Sequence, residues 1–121
     1  MPTFKPAGPL TKEDVNKFLN QIDFALPKGF VEMMSLMNGA NIDCDDYNIF
    51  LYPLTDMISI NQDMYEKGFP NQIFLVAPTN RRTNYVIDKN SGNIYELPFE
   101  GNTVADGIYV SGDFGEFMDN L

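Results

Sequence analysis

The sequence contains no histidine and only one cysteine. Without histidine, Ser-His-Asp and Cys-His catalysis and most zinc sites are excluded, because each needs an imidazole as base or ligand. The single cysteine, Cys44, cannot form an internal disulfide, which is typical of a reducing compartment. Neighbouring carboxylates disfavour its thiolate, so we do not expect a nucleophile there. The remaining enzyme hypothesis is a small hydrolase that uses carboxylates, with or without a metal.

Long apolar stretches are also missing. No run of about 18 residues is apolar enough to span a membrane, and residues 1–6 lack the apolar stretch of a signal peptide. We therefore expect a cytoplasmic protein that does not bind membranes. The 121 residues are 44% hydrophobic, which is enough for one domain with one core. Three prolines and a glycine in residues 1–9 predict an extended or flexible arm, followed by a single domain at residues 10–121.

Basic residues are scarce, with eight against seventeen acidic residues and a net charge of −9. Such a surface repels phosphate backbones, so we do not expect direct binding of nucleic acid. It can instead attract a basic protein partner and accelerate the encounter. The alternative is that the acidic residues only keep the protein soluble.

Apolar residues recur with helical spacing in four segments. Thr11 is predicted to cap the first helix and Pro27 to end it, whereas Asn38-Gly39 is predicted to stop the second. The second helix is apolar almost all round and is expected to be buried centrally. Thr55 or Asp56 is predicted to cap the third, and Ser111 the last. The predicted helices are residues 11–26, 28–37, 55–67 and 111–121.

Residues 73–97 hold three short apolar runs separated by turn residues, which predicts a three-stranded antiparallel meander. The first run, residues 73–77, is nearly all apolar and is expected to be covered on both faces. Further strands are predicted at residues 49–52 and 107–110, and a loop at residues 40–48. Together these elements predict an α+β fold, with a mainly antiparallel sheet of about four to five strands and helices from both ends of the chain packed on it.

The order of these signals resembles the SUKH superfamily, the SMI/KNR cell-wall-regulator-like domains that include bacterial toxin-immunity proteins. The resemblance rests on a Leu26-Pro27 step between two helices, an Asn38-Gly39 stop, an IFLVA strand, an Ile-Tyr pair on a later strand and a final Ser-x-x-Phe-x-x-Phe helix. It implies a non-enzymatic protein-binding module without a cofactor. The implied function is immunity, in which the protein occludes the active site of a cognate toxin, often a nuclease. The alternative is an intracellular regulatory scaffold of the cell-wall-synthesis type.

A basic toxin domain would be recognised by exposed acids and aromatic residues, with tyrosine as anchor and the acids as steering charges. The predicted contact residues lie in the acidic loop and near the C-terminus: Asp43, Asp45, Asp46, Tyr47, Glu100, Asp106 and Tyr109. No sheet edge for pairing two copies can be identified, so the oligomeric state is not predicted.

Polar residues in two segments allow a binding site as an alternative interpretation. The acids of the loop alternate partly as in a calcium-binding EF-hand, but Asp46 and Tyr52 replace its glycine and glutamate, which favours a solvated loop without a metal. Arg81 and Arg82, the only arginines, could grip a carboxylate or phosphate. An exposed solubilising turn is the alternative for this pair.

Overall fold

A computed structural model of the protein describes residues 3–6, 8–101 and 103–121, and residues 1, 2 and 7 of the predicted arm lie outside this part. Within it the α-helices are α1 (Lys12–Leu19), α2 (Phe30–Met37), α3 (Leu54–Glu66) and α4 (Phe114–Asp119). The strands are β1 (Thr3–Pro6), β2 (Ala40–Asp43), β3 (Asn48–Leu51), β4 (Ile73–Pro78), β5 (Thr83–Asp88), β6 (Ile94–Pro98) and β7 (Ile108–Ser111). A short 3-10 helix, η1 (Val104–Asp106), precedes β7. The predicted α+β class is confirmed.

The strands form two antiparallel sheets that adjoin each other. One has the order β1-β2-β3 and the other β4-β5-β6-β7. Val76 is an extra residue in β4 relative to β5, because the register shifts between Leu75 and Ala77. Its carbonyl accepts a hydrogen bond from the Tyr52 amide at 3.1 Å, just after β3. The bulge therefore lies where the two sheets join.

The predicted meander is confirmed as β4, β5 and β6, and β4 is covered on both faces. Phe74, Val76 and Ala77 belong to the larger core, with which residues from α1, α2 and α4 pack. Ile73 and Leu75 belong to a second cluster, against which the α3 residues Ile60 and Met64 pack. This two-sided burial explains the nearly continuous apolar run.

The outer edge of β4 is bonded by two side chains of α3. Asn61 is 1% exposed; its amide nitrogen donates to the Leu75 carbonyl at 2.9 Å and its oxygen accepts from the Leu75 amide at 2.6 Å. Four residues later, on the same helix face, the Tyr65 hydroxyl donates to the Ile73 carbonyl at 2.7 Å. These side chains replace the neighbouring strand that an edge would otherwise need.

The burial of Tyr65 makes the stability of the protein depend on pH in the alkaline range. Burial raises the pKa of Tyr65 to about 12, whereas an unfolded tyrosine titrates near pH ~10. Stability from this group is therefore complete below pH ~10 and is lost as the pH rises towards about 12. Urea unfolding at a series of pH values from 9 to 11 should show this fall, and Tyr65→Phe should make it shallower. An equally steep fall in the variant would assign the effect to other groups.

The predicted end of the first helix is wrong, whereas its predicted start is right. Thr11 does cap α1, because its hydroxyl accepts from the Asp14 amide, but the helix ends at Leu19 rather than near Pro27. The following residues turn inward, so that the ring of Phe24 packs 5.1 Å from that of Phe74. Tertiary packing of an aromatic side chain thus overrides the helical period there.

The second helix is shorter and less central than predicted. It begins at Phe30, after Gly29 with φ 77°, and Leu36 on its surface is 73% exposed. The predicted stop is confirmed, since Asn38 and Gly39 have φ 47° and 91°. A Cβ on Gly39 would lie 2.7 Å from the Pro53 nitrogen, so only glycine fits between α2 and β2.

Three other local predictions also differ from the structure. The predicted loop at residues 40–48 begins with a strand, β2, because Ala40–Asp43 pairs with both β1 and β3. The third helix has Pro53 at its N-cap, and the Asn38 side chain accepts from the Thr55 amide at 3.4 Å instead. Asp113, not Ser111, caps α4 by accepting from the Glu116 amide.

Candidate functional site

The β2-β3 hairpin presents one buried and one exposed face. Ala40 and Ile42 of β2 are buried, as are Ile49 and Leu51 of β3. The alternate residues are exposed, and the register places Asn41 opposite Phe50 and Asp43 opposite Asn48. These four side chains therefore share the outer face of the hairpin.

The turn of this hairpin carries the acids singled out in the sequence. The Cys44 amide donates to the Tyr47 carbonyl at 2.9 Å, and the Tyr47 amide to the Cys44 carbonyl at 3.3 Å. This closed turn leaves Asp45 and Asp46 exposed at its tip, while Cys44 is buried. The structure thus places the predicted residues Asp45, Asp46 and Tyr47 on this turn, and Asp43 at the end of β2 that leads into it.

Arg81 attaches this turn to the four-stranded sheet. Its guanidinium carbon lies 3.7 Å from the centre of the Tyr47 ring. Its Nε and Nη2 donate to Oε2 of Glu96 at 3.1 and 2.8 Å, and Nη2 also lies 3.3 Å from the Tyr85 hydroxyl. Burial lowers the pKa of Arg81, but the hydrogen bond and charge of Glu96 outweigh burial and raise it. Arg81 therefore grips a carboxylate, as the sequence suggested, but that carboxylate is the protein's own.

Tyr47 and Tyr85 lie on either side of Arg81, where the turn meets the four-stranded sheet. Burial, followed by a hydrogen bond with Tyr47, raises the pKa of Tyr85. The Tyr47 ring is half-buried and stacked on Arg81, so it is held in place rather than projecting into solvent.

Arg82 differs from its neighbour in being exposed. It pairs with Glu100 at 3.3 Å, and the two side chains are 77% and 73% exposed. A pair that is solvated to this extent contributes little to stability. The solubilising-turn interpretation therefore fits Arg82 but not Arg81.

This contrast gives a matched pair of variants. Arg81→Met should lower the free energy of unfolding by about 1–2 kcal/mol, because it removes the stacking on Tyr47 and the bonds to the largely buried Glu96. Arg82→Met should change it by less than about 0.5 kcal/mol. Amide hydrogen exchange at Cys44 and Tyr47 should accelerate only in Arg81→Met. Equal effects of the two substitutions would show that Arg81 does not hold the turn.

A groove of about 440 Å³ lies between the hairpin and the turn that joins β4 to β5. It is lined by the outer face of the hairpin and the β4-β5 turn: Asn41, Ile42, Asp43, Asn48, Ile49, Phe50, Pro78, Thr79 and Asn80. Asn80 connects the two sides, since its side-chain oxygen accepts from the Asn48 amide at 2.8 Å and its own amide donates to the Asn48 carbonyl at 3.1 Å. These two hydrogen bonds therefore join the walls of the groove.

Two features fix the groove's side chains. With its amide nitrogen facing the acceptors, the Asn48 side chain donates to Oδ1 of Asp43 at 2.9 Å. The Phe50 ring, 45% exposed, packs edge-on against Tyr52 at 5.3 Å and 85°. Sequence reasoning missed Phe50 and Asn80. The available signal for Phe50 was strand alternation, since a residue between Ile49 and Leu51 in a strand points to the opposite face from both.

A family model for the SMI1/KNR4 family (SUKH-1) matches residues 9–120, nearly the whole chain. The chain belongs to the SMI1/KNR4 family (SUKH-1). The resemblance to the SUKH superfamily is thereby confirmed. A comparison with curated proteins gave no match.

The segments that carried the resemblance have definite places in this SUKH-1 domain. The Asn38-Gly39 stop ends α2, the IFLVA run is β4, and the Ile94-Tyr95 pair begins β6. The closing Ser-x-x-Phe-x-x-Phe pattern joins the end of β7 to α4, where Phe114 and Phe117 are buried. Each is a structural element, so the family match identifies the fold and leaves the partner open.

The other predicted contact residues belong to the four-stranded sheet and its connections. Glu100 follows β6 and pairs with Arg82. Asp106 ends η1, where its carboxylate accepts from the Thr103 amide at 3.3 Å. Tyr109, 56% exposed on β7, packs edge-on against Tyr95 at 5.7 Å. The structure therefore does not place these three on the hairpin turn, and their role in binding stays a prediction.

Over residues 3–6, 8–101 and 103–121, no group of three or more acidic, cysteine or histidine side chains is arranged to hold a metal ion. In the same part of the chain, no helix combines the length and apolar character needed to cross a membrane.

Proposed function

We propose that this SUKH-1 domain is a non-enzymatic binding module, an immunity protein that neutralises a basic toxin domain by covering its active site. The observation that carries the proposal is that three acids are exposed at this end of the hairpin: Asp43 at the end of β2, in the wall of the groove, and Asp45 and Asp46 at the tip of the turn. A chain of net charge −9 adds a long-range attraction for a basic, nucleic-acid-handling surface.

The mechanism is steric and electrostatic occlusion. Acids at the tip of the turn steer the partner, and the body of the domain then blocks access of substrate to the toxin. The fixed turn favours this role, because a surface that is already ordered loses little entropy on binding. Arg81, stacked on Tyr47, supplies that order.

A paired-carboxylate hydrolase is less well supported by the groove. Among the residues lining it, Asp43 is the single carboxylate, so the groove supplies no second acid for that chemistry. Binding rather than catalysis is the function that this geometry supports.

The direct test is neutralisation of a toxin. The reading frames beside this gene are searched for a basic toxin domain. Such a domain is expressed with or without the chain, and growth is measured together with inhibition of the purified toxin. We expect growth only with the chain present, and inhibition that is complete at one chain per toxin. Capture of a stable cellular complex at moderate salt, with no protection from the toxin, would instead support the regulatory scaffold.

A further inference from the structure

The groove has the chemistry of a site for one particular side chain. We propose that it binds an arginine of the partner, with the guanidinium stacked on Phe50 and bonded to Asp43. This inference rests on the proposed function, since it names the chemistry of the partner at the same site. It gives the groove a role separate from that of the acids at the tip of the turn.

The register of the hairpin sets the distance between Asp43 and Phe50. Asp43 lies opposite Asn48, and Phe50 lies opposite Asn41, so that Asp43 and Phe50 are diagonal neighbours on one face. Diagonal neighbours on antiparallel strands are about 7–8 Å apart. A guanidinium lying on the Phe50 ring spans that gap and can present its N–H groups to the carboxylate.

Both receiving groups are held in place before a partner arrives. The Phe50 ring is braced by Tyr52, and one oxygen of Asp43 accepts from the Asn48 side chain. The walls of the groove are joined through Asn80. A volume of about 440 Å³ is within the usual range of small-ligand sites.

The molecule uses the same combination internally. Arg81 stacks on the Tyr47 ring and donates to Glu96, which is an aromatic face and a carboxylate receiving one guanidinium. The groove offers a second aromatic face and a second carboxylate, Phe50 and Asp43, to a guanidinium from outside. The net charge of −9 favours a cation there over a neutral or anionic ligand.

Arginine fits this arrangement better than lysine does. A guanidinium is planar, stacks on a ring and donates several hydrogen bonds in its plane, whereas an ammonium is a strongly hydrated point charge. Discrimination between the two cations is therefore a specific consequence of the proposal.

The test is an NMR titration of the full-length chain, labelled with ¹⁵N, with three N-acetylated and C-amidated tripeptides. They are Gly-Arg-Gly, Gly-Lys-Gly and the neutral analogue Gly-citrulline-Gly. The arginine peptide should shift the amides of Asn41, Phe50 and Asn80, and citrulline should bind about tenfold more weakly because it lacks the charge. The lysine peptide should fall between them.

Three variants locate the site. Asp43→Asn, which keeps the shape of the side chain, and Phe50→Leu, which keeps an apolar side chain without a ring, should each weaken the arginine peptide several-fold. Glu32→Gln, an exposed position on α2, removes one charge elsewhere and should leave the affinity unchanged. Unaltered binding in Phe50→Leu, equal binding of arginine and citrulline, or shifts confined to Asp45 and Asp46 would each overturn the proposal.

The titration contains no toxin, so its outcome is independent of the proposed function. If the groove gives no arginine-specific shifts while the chain still neutralises the toxin, the arginine site is refuted and immunity stands. If the peptide binds as expected but no toxin is neutralised, the site stands and the immunity role is refuted.

Discussion

Replacement of Asn61 by leucine should lower the free energy of unfolding by about 3–5 kcal/mol, which is a large part of the stability of a domain of this size. Asn61 is buried and forms hydrogen bonds with both the amide and the carbonyl of Leu75. Leucine has a similar volume but leaves these two backbone groups without partners inside the protein. Each such group costs about 1–3 kcal/mol, and the lost bond to the Met57 carbonyl adds to this.

Urea unfolding followed by far-UV circular dichroism measures the loss. Gln62→Leu is the matched control, because it makes the same apolar substitution one residue along α3 at an exposed position. It should change stability by no more than about 0.5 kcal/mol. In Asn61→Leu, the Leu75 amide should also exchange hydrogen faster. Equal stability of the two variants would mean that Asn61 does not support the edge of β4.

Asn61 also illustrates how far the sequence specifies the sheet. The meander was predictable because its signals are local: an apolar run at β4, and an Asn-Ser-Gly turn between β5 and β6 in which Gly92 has φ 76°. The partner for the outer edge of β4 was not. That partner is Asn61, a polar residue in the middle of a helix. In the sequence, a buried asparagine at such a position cannot be told from one that faces solvent.

The missed strand β2 has a different cause. The segment Ala40–Asp43 alternates buried and exposed residues. Four residues are too few for this alternation to be recognised in the sequence. Its pairing with β1 joins Thr3 to Asp43, far apart in the sequence. Such nonlocal pairing decides the strand, and composition does not reveal it.

The candidate site was predictable only in part for the same reason. Net charge and the run of acids located the turn, because both are properties of sequence alone. The groove depends on Asn80 meeting Asn48 across two sheets, and Tyr47 depends on Arg81 for its position. These contacts join segments that are more than 30 residues apart in the sequence. The sequence therefore predicted the acids, which are local, but not the groove that these contacts form.

Reversal of charge at this end of the hairpin should have the other large effect, a slower association with the basic toxin domain that we propose as the partner. The variant combines Asp43→Lys, Asp45→Lys and Asp46→Lys, which makes the net charge of −9 less negative by six. Association at low salt should slow by about 10–100-fold, because electrostatic steering accelerates encounters by factors of this order and larger. The dependence of the rate on salt should become shallower, as fewer charges contribute to the attraction.

A control variant distinguishes the effect of where the charges lie from the effect of the net charge on the association rate. Glu32→Lys, Glu66→Lys and Asp119→Lys, all at exposed helical positions, change the net charge by the same amount away from the turn. Stopped-flow association at three salt concentrations should show a much smaller loss in this control, because screening limits each charge to a range of about 10 Å at 0.1 M salt. If both triple variants slow association equally, only the overall charge attracts the toxin. If neither does, the hairpin turn is not where the toxin first makes contact.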